Sequence, residues 1–183
     1  MEENRKKATF ANGCFWCTEA VFQRFKGVYN VKSGFTGGFI KNPPYREVAM
    51  SRTNHAEAIQ LDYDPDIISY KELLEVFFTT HDPTTLNKQG YDVGTQYRSA
   101  IFYSDQSQKK EAEDYIDQLE REKVFNDPIV TEVTELGPFY PAEVEHDEYY
   151  NKHRAQGYCR IIIDPKVEKI KKSYQSKLKE EFA

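Results

Sequence analysis

Twice along this chain the apolar residues pass through the same order of periods: strand, helix, strand. Residues 7–11 form a short mixed segment that Asn12-Gly13 breaks. From Cys14 the pattern is helical, with Cys17, Ala20, Val21 and Phe25 on one face and Gly27 at the end. Residues 28–35 read as a strand stopped by Gly37-Gly38, residues 39–51 with Pro43-Pro44 as a long loop, and residues 55–63 as a second, alternating strand. The second round is clearer. Ser69 and Glu72 make a capping box ahead of a stripe of Tyr70, Leu73, Leu74, Phe77 and Phe78, which His81-Asp82-Pro83 closes. A polar, glycine-containing loop then runs to Gln96, longer than a mere connection needs. Residues 99–103 follow as a third strand, Ala112, Tyr115, Ile116 and Leu119 mark a third helix, and residues 129–136 alternate as a fourth strand.

This order predicts an α+β chain, a ferredoxin-like split βαβ sandwich. Residues 137–156 are acidic and tyrosine-rich, residues 161–163 form a brief apolar run, and Val167, Ile170 and Tyr174 suggest a short terminal helix in an otherwise irregular C-terminal tail. A length of 183 residues suits one domain with a tail, not two full cores. An apolar fraction of 39%, with 14% aromatic, suffices for a packed interior and excludes wholesale disorder. The net charge of −5 lacks the basic excess of a nucleic-acid binder, so no nucleic-acid partner is expected. No run approaches the roughly 18 consecutive apolar residues of a membrane span. The charged residues 1–7 have no apolar stretch behind them, so no signal peptide is expected. Three cysteines, an odd number, argue against a disulfide scaffold and for a reducing compartment, the cytoplasm.

The strongest chemical signal is Gly13-Cys14-Phe15-Trp16-Cys17. A cysteine at a helix start meets unpaired backbone amides and the positive end of the helix dipole, which predicts a lowered pKa for Cys14 and an accessible, reactive sulfur. Phe15 and Trp16 beside it offer flat apolar surface suited to a methyl group. Cys14 as an ordinary buried cysteine is the plainer alternative. For Cys17 that alternative is stronger, because it shares a face with Ala20, Val21 and Phe25; it also lies one turn from Cys14, where a disulfide can close. Cys-x-x-Cys is half a zinc site, but Cys159 is isolated, His55, His81, His146 and His153 are scattered, and no second half follows. No metal is expected.

Around that signal lies an ordered series. Gly13-Cys14-Phe15-Trp16 is similar to the signature of the class A peptide methionine sulfoxide reductases. Further stretches resemble that family in the same order: Ser33-Gly34-Phe35-Thr36-Gly37-Gly38, Tyr45-Arg46-Glu47-Val48, His55-Ala56-Glu57-Ala58, and His81 through Asn87. Asp92-Val93-Gly94-Thr95-Gln96-Tyr97-Arg98-Ser99 and Phe139-Tyr140-Pro141-Ala142-Glu143 complete a resemblance spanning residues 8–163.

The resemblance implies reduction of the S epimer of methionine sulfoxide, free or in proteins, with Cys14 as the nucleophile that becomes a sulfenic acid. It implies a methyl-binding wall of Phe15 and Trp16, and a surround for the sulfoxide oxygen of Glu57, Tyr45 and Tyr97, with Asp92 nearby. Glu57 then serves as catalytic acid, since a carboxyl in a partly apolar pocket holds its proton. Two phenols can hydrogen-bond the oxygen without adding charge. A second thiol must resolve the sulfenic acid, and Cys17 and Cys159 both qualify. Cys159, in Gly157-Tyr158-Cys159, resembles the tail cysteine many relatives use, and the competing core role of Cys17 tips the reading towards Cys159. Residues 7–155 would form the catalytic domain, 1–6 an extension and 156–183 a mobile tail. The implied reductant is thioredoxin, with no bound cofactor, and a monomer is expected. The chain departs from the family at Cys17, Arg46, Asn54 and Val144-Glu145, and His55 reads as a structural neighbour of Glu57. A general Cys-x-x-Cys thiol–disulfide oxidoreductase and a non-enzymatic zinc or interaction module are the rival readings; neither requires Tyr45, Glu57 and Tyr97.

Overall fold

The computed structural model describes residues 4–183. Residues 1–3 of the expected extension lie outside the described residues, and Lys6 already belongs to the first strand. In chain order the elements are β1 (Lys6–Asn12), α1 (Phe15–Phe22), β2 (Val28–Thr36), α2 (Tyr45–Ala49), β3 (Ala56–Tyr63), α3 (Tyr70–Thr79), β4 (Lys88–Gln89), β5 (Asp92–Val93), β6 (Ser99–Tyr103), α4 (Gln106–Arg121), β7 (Glu132–Glu135), β8 (Tyr140–Pro141), α5 (Tyr149–Lys152) and α6 (Asp164–Tyr174). Among the described residues a six-stranded sheet has the order β7-β6-β1-β3-β2-β8, and β4 pairs with β5 in a separate hairpin. Sheet neighbours pair antiparallel except β6 and β7, which run parallel. The chain is α+β. Among the described residues no helix is long and apolar enough to cross a membrane.

Alternation along the strands divides the core. Ala8 and Phe10 of β1, Ile59 and Leu61 of β3 and Ile101 of β6 join Phe22, Leu73, Phe77 and Leu119 from the helices in one cluster. The intervening residues Ala11, Ala56, Ala58, Ala100 and Phe102 form another, against Leu136 and Phe139. Phe10 sits at the centre of the first, its ring 5.2 Å from Phe22 and 5.3 Å from Phe77. The expected capping box starts α3: Glu72 N donates to Ser69 Oγ at 3.1 Å, and Ser69 N donates back to Glu72 Oε1 at 3.4 Å. Gly34 of β2 admits β8 closely, since a Cβ there would lie 2.5 Å from the Tyr140 carbonyl oxygen.

Three expectations need correction. The C-terminal tail is not irregular: a π-helical turn, Cys159–Ile163, leads directly into α6. Cys159, Ile163, Val167 and Ile170 form one buried helical stripe, which reading residues 161–163 as a separate run had cut in two. Leu178 then bridges to Phe25, just beyond the end of α1. The 39–51 loop contains α2, with Pro44 as its N-cap residue. The fourth strand shrinks to β7, Glu132–Glu135, an edge strand that pairs with β6 alone.

Phe10→Ala is expected to lower stability by about 3–5 kcal/mol, and Ser69→Ala by about 1 kcal/mol. Urea unfolding of the two variants checks both values and their order.

Candidate active site

The turn from β1 into α1 presents the nucleophile. Gly13 has φ +112°, in the region that favours glycine, and a Cβ there would meet the Gln89 side chain at 2.9 Å. Cys14 is the extended N-cap residue, its carbonyl accepting the amides of Cys17 at 3.0 Å and Thr18 at 3.4 Å. Thr18 Oγ1 donates to Asn12 Oδ1 at 2.6 Å and locks the turn. Cys14 is only 8% exposed, which changes its chemistry. Burial, the hydrogen bond with Cys17 and the Glu57 charge push its thiol well above the usual range, while the Trp16 amide pulls the other way. The helix terminus therefore acts on the sulfur as expected, but burial outweighs it, and the expected lowering is overturned.

Glu57 comes from β3, where it pairs with Phe35, and is 1% exposed. Phe15 N donates to its Oε1 at 3.2 Å, and Oε2 is buried without a partner among the described residues. Burial pushes its carboxyl up to about 8, the Phe15 amide opposing and Asp92 and Cys17 adding to the rise. The carboxyl therefore keeps its proton at neutral pH. Tyr45 opens α2 and Tyr97 closes a 3-10 turn, Thr95–Tyr97. Both phenols are pushed above their ordinary range by burial first and then by Glu57 and Cys14, so both remain hydrogen-bond donors beside these groups.

The aromatic wall is built from both ends of the chain. Phe15 is fully buried against Phe35, Tyr45 and His146. Trp16 stacks on Tyr149 at 3.8 Å, meets Tyr158 edge-on at 5.9 Å, and donates through Nε1 to His146 Nδ1 at 3.1 Å. His146, Tyr149 and Tyr158 had no role in the sequence reading, although the tyrosine-rich stretch that holds the first two was visible. His55 accepts from Gly38 N at 3.0 Å and contacts Ile40 O through Nε2, a structural task beside Glu57. Among the family departures, Arg46 is exposed, and Asn54 takes a φ of +57° with its carbonyl accepting from Arg98. Val144 and Glu145 lie in a 3-10 turn that leaves His146 on Trp16.

All three cysteines are free and buried. Cys14, Cys17 and Cys159 share one cluster with Tyr150, Ile163 and Val167. A cavity of about 600 Å³ reaches the first two, lined by Cys14, Cys17, Asp92, Tyr158, Ile161 and Lys166. Asp92, from β5, accepts the Tyr158 hydroxyl at 2.7 Å. Among the described residues no group of three or more His, Cys, Asp or Glu side chains is arranged to hold a metal ion.

Residues 6–179 match the family model described as peptide methionine sulfoxide reductase. The chain is similar to the peptide methionine sulfoxide reductase MsrA of Deinococcus radiodurans, 51% identical over 175 residues, covering 96% of this chain and 85% of that protein. Its structure resembles the reduced form of Mxr1 from Saccharomyces cerevisiae, with a TM-score of 0.78 and 32% identity over 87% of this chain and 91% of that one. It also resembles Mxr1 in complex with Trx2, with a TM-score of 0.55 and 25% identity over 81% of this chain and 87% of that one.

The buried carboxyls predict a pH signature. Glu57 holds its proton to about 8 and Glu19 of α1 to about 7 in the folded chain, whereas a free glutamate loses its proton near about 4.3. Between these values the folded chain binds more protons than the unfolded one. This contribution to stability is therefore full below the unfolded value and lost as pH rises through the folded ones. Urea midpoints are expected to decline from about pH 5 to about pH 8, and Glu57→Gln to flatten that decline. An unchanged slope would mean that Glu57 ionises in the folded chain with ordinary ease.

Proposed function

The chain belongs to the peptide methionine sulfoxide reductase family and reduces methionine sulfoxide to methionine with external thiols, and we propose that Cys14 and Glu57 carry the chemistry on the S epimer. One observation supports this above the rest: a single cysteine at a strand-to-helix turn shares its surroundings with a proton-bearing carboxyl and two phenols. We also read the β6-β1-β3-β2 core, with its two helical crossovers, as a ferredoxin-like split βαβ sandwich. Residues 7–155 supply the catalytic domain and residues 156–183 the segment that carries Cys159, one of the two candidate resolving thiols. Free thiols in all three cysteines suit the cytoplasm, where the enzyme would act as a monomer.

The reaction needs a nucleophile, a proton for oxygen and a seat for the methyl group. Phe15 and Trp16 provide the seat. The Cys14 sulfur attacks the sulfoxide sulfur while the oxygen takes the Glu57 proton and hydrogen bonds from Tyr45 and Tyr97. The attack joins the Cys14 sulfur to the methionine sulfur. The oxygen then passes from that sulfur to Cys14 as the old S–O bond and the new S–S bond both break, leaving a Cys14 sulfenic acid and free methionine. Glu57 recovers the proton shed by the Cys14 thiol, so thiol plus sulfoxide gives sulfenic acid plus methionine with every atom balanced. A neutral carboxyl is the right form for this task, because a carboxylate would repel the electron-rich oxygen. Asp92 borders the same site.

Condensation of the sulfenic acid with Cys159 or Cys17 forms a disulfide and water, and thioredoxin returns the dithiol; an association of this kind is the subject of the Mxr1–Trx2 complex. Both thiols are buried in one cluster with Cys14, and both stay candidates for this step. A general Cys-x-x-Cys oxidoreductase would leave the Glu57, Tyr45 and Tyr97 arrangement without a purpose.

Turnover of the S and R epimers of a sulfoxide peptide with dithiothreitol tests the reading. The native chain is expected to reduce the S epimer only, Cys14→Ser to be inactive, and Glu57→Gln to lose about 10²–10⁴-fold in rate. The chemical step should slow as pH rises through about 8, where Glu57 loses its proton. Reduction of neither epimer by the native chain would overturn the assignment. With thioredoxin in place of dithiothreitol, Cys159→Ser is expected to stop multiple turnover after the first methionine is released, and undiminished turnover would remove Cys159 from the cycle.

A further inference from the structure

One hydrogen-bonded chain near the nucleophile is not used by the steps above. The Cys17 Sγ lies 3.8 Å from the Tyr158 hydroxyl, which donates to Asp92 Oδ2 at 2.7 Å. Tyr158 is held in place by its edge-on contact with Trp16. Asp92 is half-buried on the cavity wall, so the far end of the chain communicates with water while Cys17 is 3% exposed. Among the described residues the other candidate thiol has no such connection: the Cys159 sulfur has only the weak contact with Gln156 Oε1 at 4.0 Å.

We infer that Cys17 is the thiol that first closes on oxidised Cys14, and that Tyr158 and Asp92 carry its proton out to the cavity. The inference rests on Cys14 being the sulfenic acid proposed above. In the step, the Cys17 sulfur attacks the Cys14 sulfur; an S–S bond forms and the S–O bond of the sulfenic acid breaks. The Cys17 proton passes to the Tyr158 oxygen as the Tyr158 proton passes to Asp92. The departing hydroxide takes the Glu57 proton and leaves as water. One cysteine sulfur is oxidised, the other reduced, and no outside reactant is needed. Cys159, next to Tyr158 in the chain, is then placed to exchange with the new disulfide.

Electrostatics favour the same order. The Cys17 thiol sits below its ordinary range, chiefly through the Cys14 hydrogen bond, with Lys166 and Tyr158 adding and burial and Asp92 opposing. Burial raises the Cys159 thiol, and the Cys17 and Asp164 charges raise it further. In the reduced chain Cys17 is therefore shifted towards the thiolate and Cys159 away from it.

Single-turnover mixing of the full chain with a sulfoxide peptide, without reductant, separates the steps. Samples quenched with a thiol alkylator give methionine release and, by peptide mass mapping, the disulfide formed. In the native chain a Cys14–Cys17 disulfide is expected first, at a rate that falls in deuterated water. Tyr158→Phe keeps the ring on Trp16 and removes only the hydroxyl. It should slow closure about tenfold or more relative to methionine release, within the usual span of a proton-transfer catalyst, and shrink the isotope effect. Asp92→Asn should do the same to closure, and the double variant should be no slower than either single one, because both break one path. A purely structural role would leave the isotope effect intact and the two losses additive. A first disulfide between Cys14 and Cys159, or closure unaffected in both variants, would overturn the inference. Absence of methionine release in the native chain would instead overturn the role of Cys14 and the proton path with it.

Discussion

The hydrogen bond from the Phe15 amide to Glu57 Oε1 ties the two halves of the site together. The first amides of a helix lack partners within it, and here one of them is satisfied by a carboxyl reaching across from β3. The bond costs Glu57 some of its tendency to hold a proton, but burial is the larger effect and the carboxyl stays neutral. Because β3 is paired on both sides, with β1 and β2, the acid cannot shift without moving the sheet. The nucleophile is fixed to the same sheet through Gly13 and the Thr18–Asn12 bond. Acid and sulfur are thus positioned by rigid elements, and the loops add only the phenols and the aromatic cover.

Much of this was legible because it is local. The stripe of Tyr70, Leu73, Leu74, Phe77 and Phe78 ends where α3 ends, the capping box at Ser69 is formed, and residues 99–103 are β6. Patterns of period two and period three or four need no knowledge of distant contacts. The misjudged features are those that distant residues decide. Cys14 carries the local mark of a lowered thiol, yet packing against the remainder of the fold raises it. Residues 159–170 hold a helical stripe whose first member is a cysteine and whose apolar positions are interrupted by Arg160 and Asp164, so the period emerges only from the shared burial of Cys159 and Ile163.

The same distinction separates the site residues that a motif exposes from those it hides. Cys14, Phe15, Trp16, Tyr45, Glu57, Asp92 and Tyr97 lie in short recognisable stretches. His146 and Tyr158 reach the site from 130 and 141 residues beyond their partners Trp16 and Cys17, and nothing in the spacing could announce it. Their segment is rich in tyrosine because flat rings with one polar tip can line a cavity and still satisfy that tip. Tyr150, a neighbour in the same stretch, turns the other way and gives its hydroxyl to Asp164. The terminal segment thereby serves as packing for α1 and as furniture for the site at once.

The stack of Trp16 on Tyr149 has an optical consequence. The chain holds one tryptophan, and it is this one. All indole fluorescence from the protein therefore originates in the candidate site, between a phenol, an imidazole and the nearby sulfurs. No label has to be introduced to watch a thiol there change its oxidation state, since the emission of the untouched chain already reports from that spot alone.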